Sequence, residues 1–413
     1  MTTTPDACPA HDERLAYPFE HPTALAPPRE WDRLRRECPV AQVRAANGVD
    51  GVLLTRHADV KAMLADPRFQ RGSLTGEPGG LGDTSGPGTG DGGGMVGLDS
   101  MMAGEGHVRW RRLLGRTFTV RRVRAMQPAM ERLANGLLDE MVASGAPADL
   151  REAFGFPLPV FVICDLLGVP AQDRDRFSAW SDRLLNLTTY TQEESLEAGI
   201  ELYTYMLSLV QGKRAEPGED LLSELTAISD EDSTRLTEEE LVMTGIALLV
   251  AGHETTANMI GKMVAMLLAD RERWEALLAD RSLVRTAVEE CLRFDANLGF
   301  AMSRHVDEDI EVAGSTIPAG STVWSAMAAA NRDEAVFEKA GDMDLSRHPN
   351  PHLTFGVGAH SCLGQTLARV ELQTALEVLL GRLPTLDLAV SEGELRRREG
   401  LLVGGLEEVP VRW

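Results

Sequence analysis

The cysteine at position 362 stands out because of its neighbours, which read Phe355-Gly356-Val357-Gly358-Ala359-His360-Ser361-Cys362-Leu363-Gly364. Glycines at this density let the backbone pass close to a bulky, flat group. A helical pattern begins just after Cys362, and the positive end of a helix dipole favours the thiolate form of a cysteine. A buried thiolate held by backbone N–H groups can serve as an axial ligand of haem iron.

The thiol by itself has two other interpretations. Most lone cysteines in soluble proteins are small core hydrophobes. His360 and Cys362 also suit a zinc site by residue type, but no second Cys/His pair lies near them. The whole phrase Phe-Gly-x-Gly-x-His-x-Cys-x-Gly is far more specific than the thiol. It resembles the haem-binding signature of the cytochrome P450 family, the haem-thiolate monooxygenases.

This resemblance implies a haem b cofactor whose iron is bound by Cys362. It also implies contacts of the haem with Phe355, Gly356 and Gly364. His360 matches a residue that contacts a haem propionate in the family.

Three cationic or ionisable residues elsewhere in the chain match further propionate contacts. His107 and Arg111 stand four residues apart and resemble the family's His-x-x-x-Arg, which binds a propionate. Arg304 matches the family's other propionate arginine. Two buried propionates need several cationic or N–H donors, so this number of residues is expected.

A second motif, Ala251-Gly252-His253-Glu254-Thr255-Thr256, lies within a long helical pattern. A glycine in mid-helix costs about 1 kcal/mol relative to alanine, and the Thr255 hydroxyl can reach the Ala251 carbonyl one turn back. Taken alone, the motif indicates either a close helix–helix contact or a groove or bulge. It resembles the oxygen-binding groove of cytochromes P450. The resemblance implies that Ala251 borders the haem, and that Glu254 and Thr255 are a catalytic acid–alcohol pair that relays protons.

Glu290 and Arg293 share one face of a helix predicted over 282–294. An isolated pair of this kind is usually a solvated ion pair worth under about 1 kcal/mol. Here it resembles the family's Glu-x-x-Arg, and Arg347 matches the third member of that group. The resemblance implies a structural role for the three residues, which support the haem-binding loop.

The long helix begins at a capping box, in which the Glu240 side chain can reach back to the Thr237 N–H. Its pattern runs without proline to about Leu268, a length of roughly 48 Å. Further helical patterns cover 107–118, 121–144, 159–167, 171–188, 195–212, 271–279, 282–294 and 363–381. Strand signals are few: 309–312 and 322–324 predict a hairpin, 51–55 a further strand, and the C-terminus one more hairpin. The predicted class is mainly α with small peripheral sheets, the cytochrome P450 fold, in a single domain over residues 1–413.

Residues 72–97 hold a dozen glycines and two prolines, which exclude a stable helix and are typical of a flexible linker. The segment falls where the family places a loop over the substrate pocket, so the resemblance favours a mobile lid. The residues that match the pocket lining are apolar or small and predict a largely hydrophobic substrate. They are Ala247, Val250, Leu298, Phe300 and Leu402.

Composition limits the partners and the compartment. Of the 413 residues, 43% are hydrophobic, enough for a substantial core. A formal charge of −22 argues against nucleic acid and anionic membranes as partners. No apolar run is long enough for a signal peptide or membrane anchor. Five thinly spread cysteines do not resemble a disulfide framework. We therefore predict a cytoplasmic protein, and we expect a monomer.

Residues 107–124 contain seven arginines and no acid. Some of them must belong to a solvated face. In a chain of this negative charge, we interpret the segment as a docking patch for an acidic ferredoxin. The resemblance to soluble actinobacterial members implies that electrons come from NAD(P)H through ferredoxin reductase and ferredoxin.

The motifs occur in the family's order over nearly the whole chain. They imply an oxidoreductase that uses dioxygen and two electrons to hydroxylate or epoxidise a small molecule, in secondary-metabolite (antibiotic) biosynthesis or in xenobiotic oxidation. The alternative is oxidative C–C, C–N or C–O coupling or ring formation without oxygen insertion. A peroxide-driven enzyme and a haem-binding sensor are less favoured, because the Glu254–Thr255 pair is intact.

Overall fold

The computed structural model describes residues 14–45, 48–71, 104–185, 190–231, 236–295, 302–398 and 404–413. They form two compact units. The first contains the described residues before His107, together with Arg293–Met343 and Pro349–Cys362. The second contains His107–Leu292, Asp344–His348 and Leu363–Trp413. A single domain over the whole chain stays a prediction.

Helices account for most of the described residues. They are α1 (Glu30–Glu37), α2 (His57–Ala65), α3 (Gly104–Thr117), α4 (Val120–Ser144), α5 (Pro157–Leu167), α6 (Arg174–Leu185), α7 (Gln192–Ala215), α8 (Leu221–Glu231), α9 (Glu238–Leu268), α10 (Arg271–Ala279), α11 (Val284–Phe294), α12 (Met327–Ala330) and α13 (Gln365–Arg382). A π-helical turn lies at Arg151–Gly155.

The strands are short and lie in four small sheets. They are β1 (Leu15–Tyr17), β2 (Val40–Ala45), β3 (Asp50–Leu54), β4 (Ala148–Asp149), β5 (Met302–His305), β6 (Ile310–Val312), β7 (Ser315–Ile317), β8 (Thr322–Ser325), β9 (Asp387–Leu388), β10 (Arg397–Arg398), β11 (Gly405–Leu406) and β12 (Pro410–Arg412).

The first unit contains a five-stranded sheet with the order β1-β2-β3-β8-β5. β3 runs parallel to β8, and a Cβ on Gly51 would overlap the carbonyl oxygen of Thr322, so a glycine is needed where these strands pair. Buried apolar side chains of β3, β8 and α2 form the core on one side of the sheet. β5 pairs with β8 so that Arg304 lies opposite Val323, which fixes the position of Arg304.

The hairpin predicted between 309–312 and 322–324 is wrong in its pairing. β6 instead pairs with β7 across a tight turn at Ala313 and Gly314, whose φ angles are 50° and 79°. Two successive positive φ values give the turn that matches the twist of paired strands. Residues Thr322–Ser325 join the five-stranded sheet as β8.

The second unit is built around α9. The predicted capping box is confirmed: Glu240 Oε2 accepts from the Thr237 N–H at 2.8 Å, and Thr237 Oγ1 accepts from the Glu240 N–H at 3.1 Å. The helix ends at Leu268, as predicted. It packs against α5, α7 and α13 and is buried along most of its length. An apolar helix of this kind belongs in a core.

The C-terminal strands complete the second unit. β12 pairs with β4 and β9, and β10 pairs with β11 in the predicted hairpin. Among the described residues, no helix is both long and apolar enough to cross a membrane. Cys164 and Cys291 are buried free thiols.

Candidate active site

The middle of α9 carries a stripe of accessible side chains on an otherwise buried helix. Ala251 and Thr255 are exposed, and Ala247 and Val250 are partly exposed. Positions 247, 250, 251 and 255 follow the spacing of a single helical face. This accessible stripe includes two of the predicted pocket residues and provides a small, mostly apolar surface against which a ligand can lie.

Gly252 serves a close helix–helix contact at the same level of α9. A Cβ at this position would lie 2.9 Å from Cδ1 of Ile163 in α5. The prediction that the glycine allows a close helix–helix contact is therefore correct. This contact does not exclude the accessible stripe on α9. The helix continues without a π turn through the motif, so the bulge considered for this motif is absent from α9.

Glu254 and Thr255 differ in their surroundings. The Thr255 hydroxyl donates to the Ala251 carbonyl at 3.1 Å, as predicted. Glu254 is only 3% exposed, and its Oε1 accepts a hydrogen bond from Nδ2 of Asn258 at 2.9 Å. The sequence analysis did not select Asn258. Its spacing of four residues from Glu254 is the one signal that could have found it.

The imidazole of His253 is buried and held in one orientation. Its Nδ1 donates to the Leu249 carbonyl at 2.8 Å, and its ring meets Phe156 edge to face. Burial lowers the pKa of His253, while Glu254 and the bond to the Leu249 carbonyl oppose this effect. The ring is therefore neutral near pH 7, with Nδ1 as the protonated nitrogen.

The loop that carries Cys362 belongs to the first unit. Gly356 and Gly358 have φ angles of 64° and 78°, and a Cβ on Gly358 would lie 2.9 Å from the carbonyl oxygen of Leu64. The Cys362 N–H donates to the Phe355 carbonyl at 2.7 Å. Cys362 forms no disulfide and is exposed. The loop turns the residue outward, where it is accessible to a ligand.

Buried polar side chains fix the backbone segment that directly precedes this loop. Asn331 is fully buried, donates to Thr354 Oγ1 at 3.0 Å and accepts from the Leu353 N–H at 2.7 Å. His57 bonds the Pro351 carbonyl from Nε2 at 3.0 Å. Neither Asn331 nor His57 was among the predicted site residues. Their roles depend on contacts more than twenty residues away in sequence, so no local pattern reveals them.

Arg304 is a buried cation in the first unit. It is 4% exposed, and its Nη1 donates to the Ser303 carbonyl at 3.1 Å. Burial, followed by the nearby charge of Arg71, lowers the pKa of Arg304 to about 10. Within the described part of the chain, Arg304 has no ion pair with a carboxylate. A buried guanidinium with a second guanidinium nearby fits an anionic ligand, such as a propionate.

His107 and Arg111 lie on α3 in the second unit. His107 is buried, and its ring stacks on Trp110 at a centroid distance of 6.2 Å. Trp110 is fixed in turn by a hydrogen bond from its Nε1 to Thr244 Oγ1 at 3.0 Å. Arg111 is partly buried. The predicted pair therefore occupies one face of a helix that is anchored to α9.

Glu290 and Arg347 form a buried ion pair. The Nε of Arg347 lies 3.1 Å from both carboxylate oxygens of Glu290, and the Asp344 N–H donates to Oε1 at 2.9 Å. Arg293 is also fully buried, and its guanidinium donates to the carbonyls of three residues of the first unit at 2.9–3.0 Å: Asn331, Ala340 and Asp342. Arg293 and Glu290 thus both bind irregular backbone, and the structural role of the three residues stays a prediction.

Several predicted residues lie outside the described residues. They are Leu298, Phe300, Leu402 and the glycine-rich segment 72–97. The described residues contain no cluster of three or more His, Cys, Asp or Glu side chains placed to bind a metal, so they offer no further zinc ligands beside His360 and Cys362.

Comparison with known proteins agrees with these motifs. The family model described as Cytochrome P450 matches residues 190–386. Nocardicin C N-oxygenase of Nocardia uniformis subsp. tsuyamanensis is 44% identical over 96% of this chain and 98% of its own length. Mycinamicin IV hydroxylase/epoxidase of Micromonospora griseorubida is 43% identical over 97% of this chain and 99% of its own. The solved structure of SgvP, a putative thioether synthase in the tailoring of griseoviridin, has a TM-score of 0.89 and 40% identity, with coverage of 97% and 100%.

The chain therefore belongs to the cytochrome P450 family. Membership confirms the predicted mainly α fold and the class of enzyme, an oxidoreductase of the P450 monooxygenase type. It also implies a haem cofactor, which the family shares. The roles of the individual site residues stay predictions.

Proposed function

We propose that Cys362 binds the iron of haem b through its thiolate. The observation that carries this proposal is an accessible free thiol in a loop that glycines with positive φ turn outward. Gly364 supports it, because a Cβ there would meet no described atom within 4 Å, which leaves room for a flat group beside the loop. When bound, haem supplies an iron that activates dioxygen, and its thiolate ligand favours cleavage of the O–O bond.

The remaining cofactor contacts fall into two groups: cationic or ionisable residues for the propionates, and uncharged residues for the macrocycle. Arg304, His107, Arg111 and His360 hold the two propionates, since a buried carboxylate needs cationic or N–H donors. Phe355, Gly356, Gly364 and Ala251 would contact the macrocycle of the haem. The absence of an acid beside Arg304 among the described residues supports this assignment, because a buried guanidinium without a counter-charge is costly.

Glu254 and Thr255 form the proton relay. Thr255 presents its hydroxyl on the accessible stripe of α9, where it holds a proton donor near the reacting oxygen. Glu254 supplies protons from the buried side of the helix, which keeps the acid away from bulk solvent until it is needed. Both residues sit on a rigid helix, so the distance between them is fixed by the backbone.

The substrate is a largely hydrophobic small molecule, and the reaction is hydroxylation or epoxidation in secondary-metabolite biosynthesis. Ala247 and Val250 on the accessible stripe offer apolar surface for it, and Leu298, Phe300 and Leu402 are further candidates. The two named relatives act, by their names, on nocardicin C and mycinamicin IV. Xenobiotic oxidation is the other use of the same site.

Oxidative coupling without oxygen insertion is a second candidate, favoured by the likeness to SgvP, a putative thioether synthase. The same residues serve both reactions, since only the fate of the oxidised substrate differs. Product mass separates them: hydroxylation or epoxidation adds one oxygen atom, whereas coupling removes two hydrogens.

Electrons reach the protein from NAD(P)H through ferredoxin reductase and a ferredoxin that docks on α3 and the start of α4. The ion pairs within residues 107–124 support a smaller docking patch. Arg109 and Arg122 form ion pairs with Glu240 and Glu224. Four other arginines are exposed and have no ion pair with any described residue, so they are available to an acidic partner: Arg112, Arg116, Arg121 and Arg124. We further propose that the protein is a cytoplasmic monomer.

The experiment that tests the central proposal is the spectrum of the reduced, CO-bound protein. A thiolate-ligated haem gives a strongly red-shifted Soret band, which we expect for the natural sequence. Cys362→Ala abolishes this band. If the natural sequence binds haem without the red shift, Cys362 is not the ligand and the proposal is wrong.

A further inference from the structure

Arg398 lies between two carboxylates in the second unit. From β10, its Nη2 donates to Oδ1 of Asp182 in α6 at 2.6 Å. Its other terminal nitrogen, Nη1, lies 3.9 Å from Oε1 of Glu254 in α9. One guanidinium therefore faces both acids, but it makes a direct hydrogen bond only to Asp182.

Three buried atoms at this point have no hydrogen-bond partner among the described residues. They are Nη1 of Arg398, Oε2 of Glu254 and Nε2 of His253. The last two lie 3.9 Å apart. A buried polar atom left unsatisfied costs about 1–3 kcal/mol, and polar atoms separated by more than 3.5 Å are often bridged by water. A water between Nη1 of Arg398 and the Glu254 carboxylate would have at least two polar partners, as a buried water requires.

The exposed fraction of the side chain falls from Asp182 through Arg398 to Glu254. The side chain of Asp182 is 32% exposed, that of Arg398 17% and that of Glu254 4%. Tyr190 covers the outer end and donates to Oδ2 of Asp182 at 2.7 Å. Arg151, from the π-helical turn, adds a second guanidinium. Burial and then the charge of Arg398 lower the pKa of Arg151, and the charge of Glu254 partly opposes this effect. The polar group thus extends from the surface at Asp182 to the buried side of the proposed catalytic acid.

We propose that Arg398 is a positioning residue that holds a water against Glu254. Asp182 anchors the guanidinium through Nη2, and Nη1 orients the water toward the Glu254 carboxylate. After Glu254 has released a proton toward Thr255, this water gives it a proton and takes one in turn from a further water on its solvent side. Arg398 keeps its own protons throughout, because the guanidinium of arginine stays protonated in proteins. The inference rests on the proposed proton relay of Glu254 and Thr255.

The test uses the haem-loaded enzyme without substrate and measures how the electrons divide between hydrogen peroxide and water. NADPH, a plant ferredoxin and its reductase supply the electrons. Dioxygen takes up two electrons and two protons to leave as hydrogen peroxide, or four of each to leave as two waters. Slower proton delivery favours peroxide. We expect Arg398→Gln and Glu254→Gln each to raise the fraction of NADPH recovered as peroxide at least twofold. The double variant rises no further than Glu254→Gln, because both changes interrupt one path.

Two further variants separate positioning from general disruption. Arg396→Gln is the matched control: Arg396 is exposed and donates to the Gly393 and Leu395 carbonyls, so its loss leaves the peroxide fraction unchanged. Arg398→Lys keeps a cation but has no second terminal nitrogen, and its peroxide fraction lies between those of the natural sequence and Arg398→Gln. This variant gives the result by itself if Arg398→Gln does not fold.

A readout without turnover comes from the thermal midpoint of the ferric enzyme. Arg398→Gln and Glu254→Gln lower it non-additively if one water joins the two side chains. The inference is overturned if Arg398→Gln matches Arg396→Gln in peroxide fraction, or if the two substitutions are additive in either measurement. Absence of the red-shifted CO band from the natural sequence would instead overturn the proposed function.

Discussion

Glu254 and Thr255 are adjacent in α9, yet Glu254 is buried against Asn258 whereas Thr255 is exposed on the accessible stripe. Successive residues of a helix are rotated by about 100°, so neighbours in sequence face different surroundings. An acid on the inside and an alcohol on the outside are suited to carry protons across the helix. The arrangement needs both residues at their present positions.

Thr255→Ala removes the hydroxyl that faces the accessible stripe. We expect oxygen consumption to continue while product formation falls and peroxide release rises, because proton delivery loses its last donor. The expected loss of product formation is on the order of 10²-fold, the lower end of the range for one proton-transferring group, and the red-shifted CO band is retained. Thr255→Ser, which keeps the hydroxyl and its bond to Ala251, restores much of the coupling. Equal coupling in Thr255→Ala and the natural sequence would contradict the assigned role.

Arg304→Gln removes a buried cation that has no acidic partner among the described residues. If Arg304 binds a haem propionate, the loss of a charge-assisted bond worth about 1.5–3 kcal/mol speeds haem release roughly tenfold or more. Transfer of haem to an excess of apomyoglobin measures this rate. Arg44→Gln is the control, since Arg44 is exposed and paired with Asp50. Similar haem-release rates for both variants would show that Arg304 does not hold the haem.

Arg112→Glu together with Arg116→Glu reverses two exposed charges of the proposed docking patch. We expect reduction by an acidic ferredoxin to slow about tenfold at low ionic strength and to depend less on salt, because steering by complementary charge is lost. Stopped-flow reduction at several salt concentrations tests this. Arg36→Glu, on α1 and also exposed, makes the same kind of change elsewhere and leaves the rate unaffected. A docking site elsewhere is indicated if the two sets of variants behave alike.

Arg347→Ala breaks the ion pair with fully buried Glu290. Because a buried carboxylate then loses its counter-charge, we expect a loss of about 3–5 kcal/mol in the free energy of unfolding. Arg369→Ala is a matched control on the neighbouring acid: Arg369 bonds partly exposed Glu289 at 2.7 Å, and that pair is worth about 0–1 kcal/mol. Denaturant unfolding of the two variants measures the difference. Equal losses would mean that solvent reaches Glu290.

Gly358→Ala places a Cβ where φ is 78° and where the Leu64 carbonyl oxygen would be 2.9 Å away. Left-handed backbone alone costs a residue with a Cβ roughly 1–2 kcal/mol, and the contact adds to this loss. Gly341→Ala is the control, because a Cβ there meets nothing within 4 Å. Thermal unfolding compares them. A midpoint for Gly358→Ala as high as that for Gly341→Ala would show that α2 and the loop can separate at little cost.

Local patterns allowed much of the fold to be predicted. The capping box at Thr237 and the proline-free run to Leu268 set both ends of α9, because capping and periodicity involve residues within one turn of each other. The β6 segment was also recognised from its sequence. Its partner was predicted wrongly, since pairing depends on the turn at Ala313 and Gly314 and on the place of β8 in a sheet with β3.

The sequence by itself determined the family, and it predicted the thiol loop and the acid–alcohol pair, because these motifs are contiguous and specific. Only the tertiary structure decided which charges are paired. It joined Glu290 to Arg347, left Arg304 without an acid among the described residues, and brought Arg398 within 3.9 Å of Glu254. Arg398 stands in a run of three arginines that sequence cannot rank. Burial and charge pairing are decided by residues distant in the chain, so they emerge only when the chain is folded.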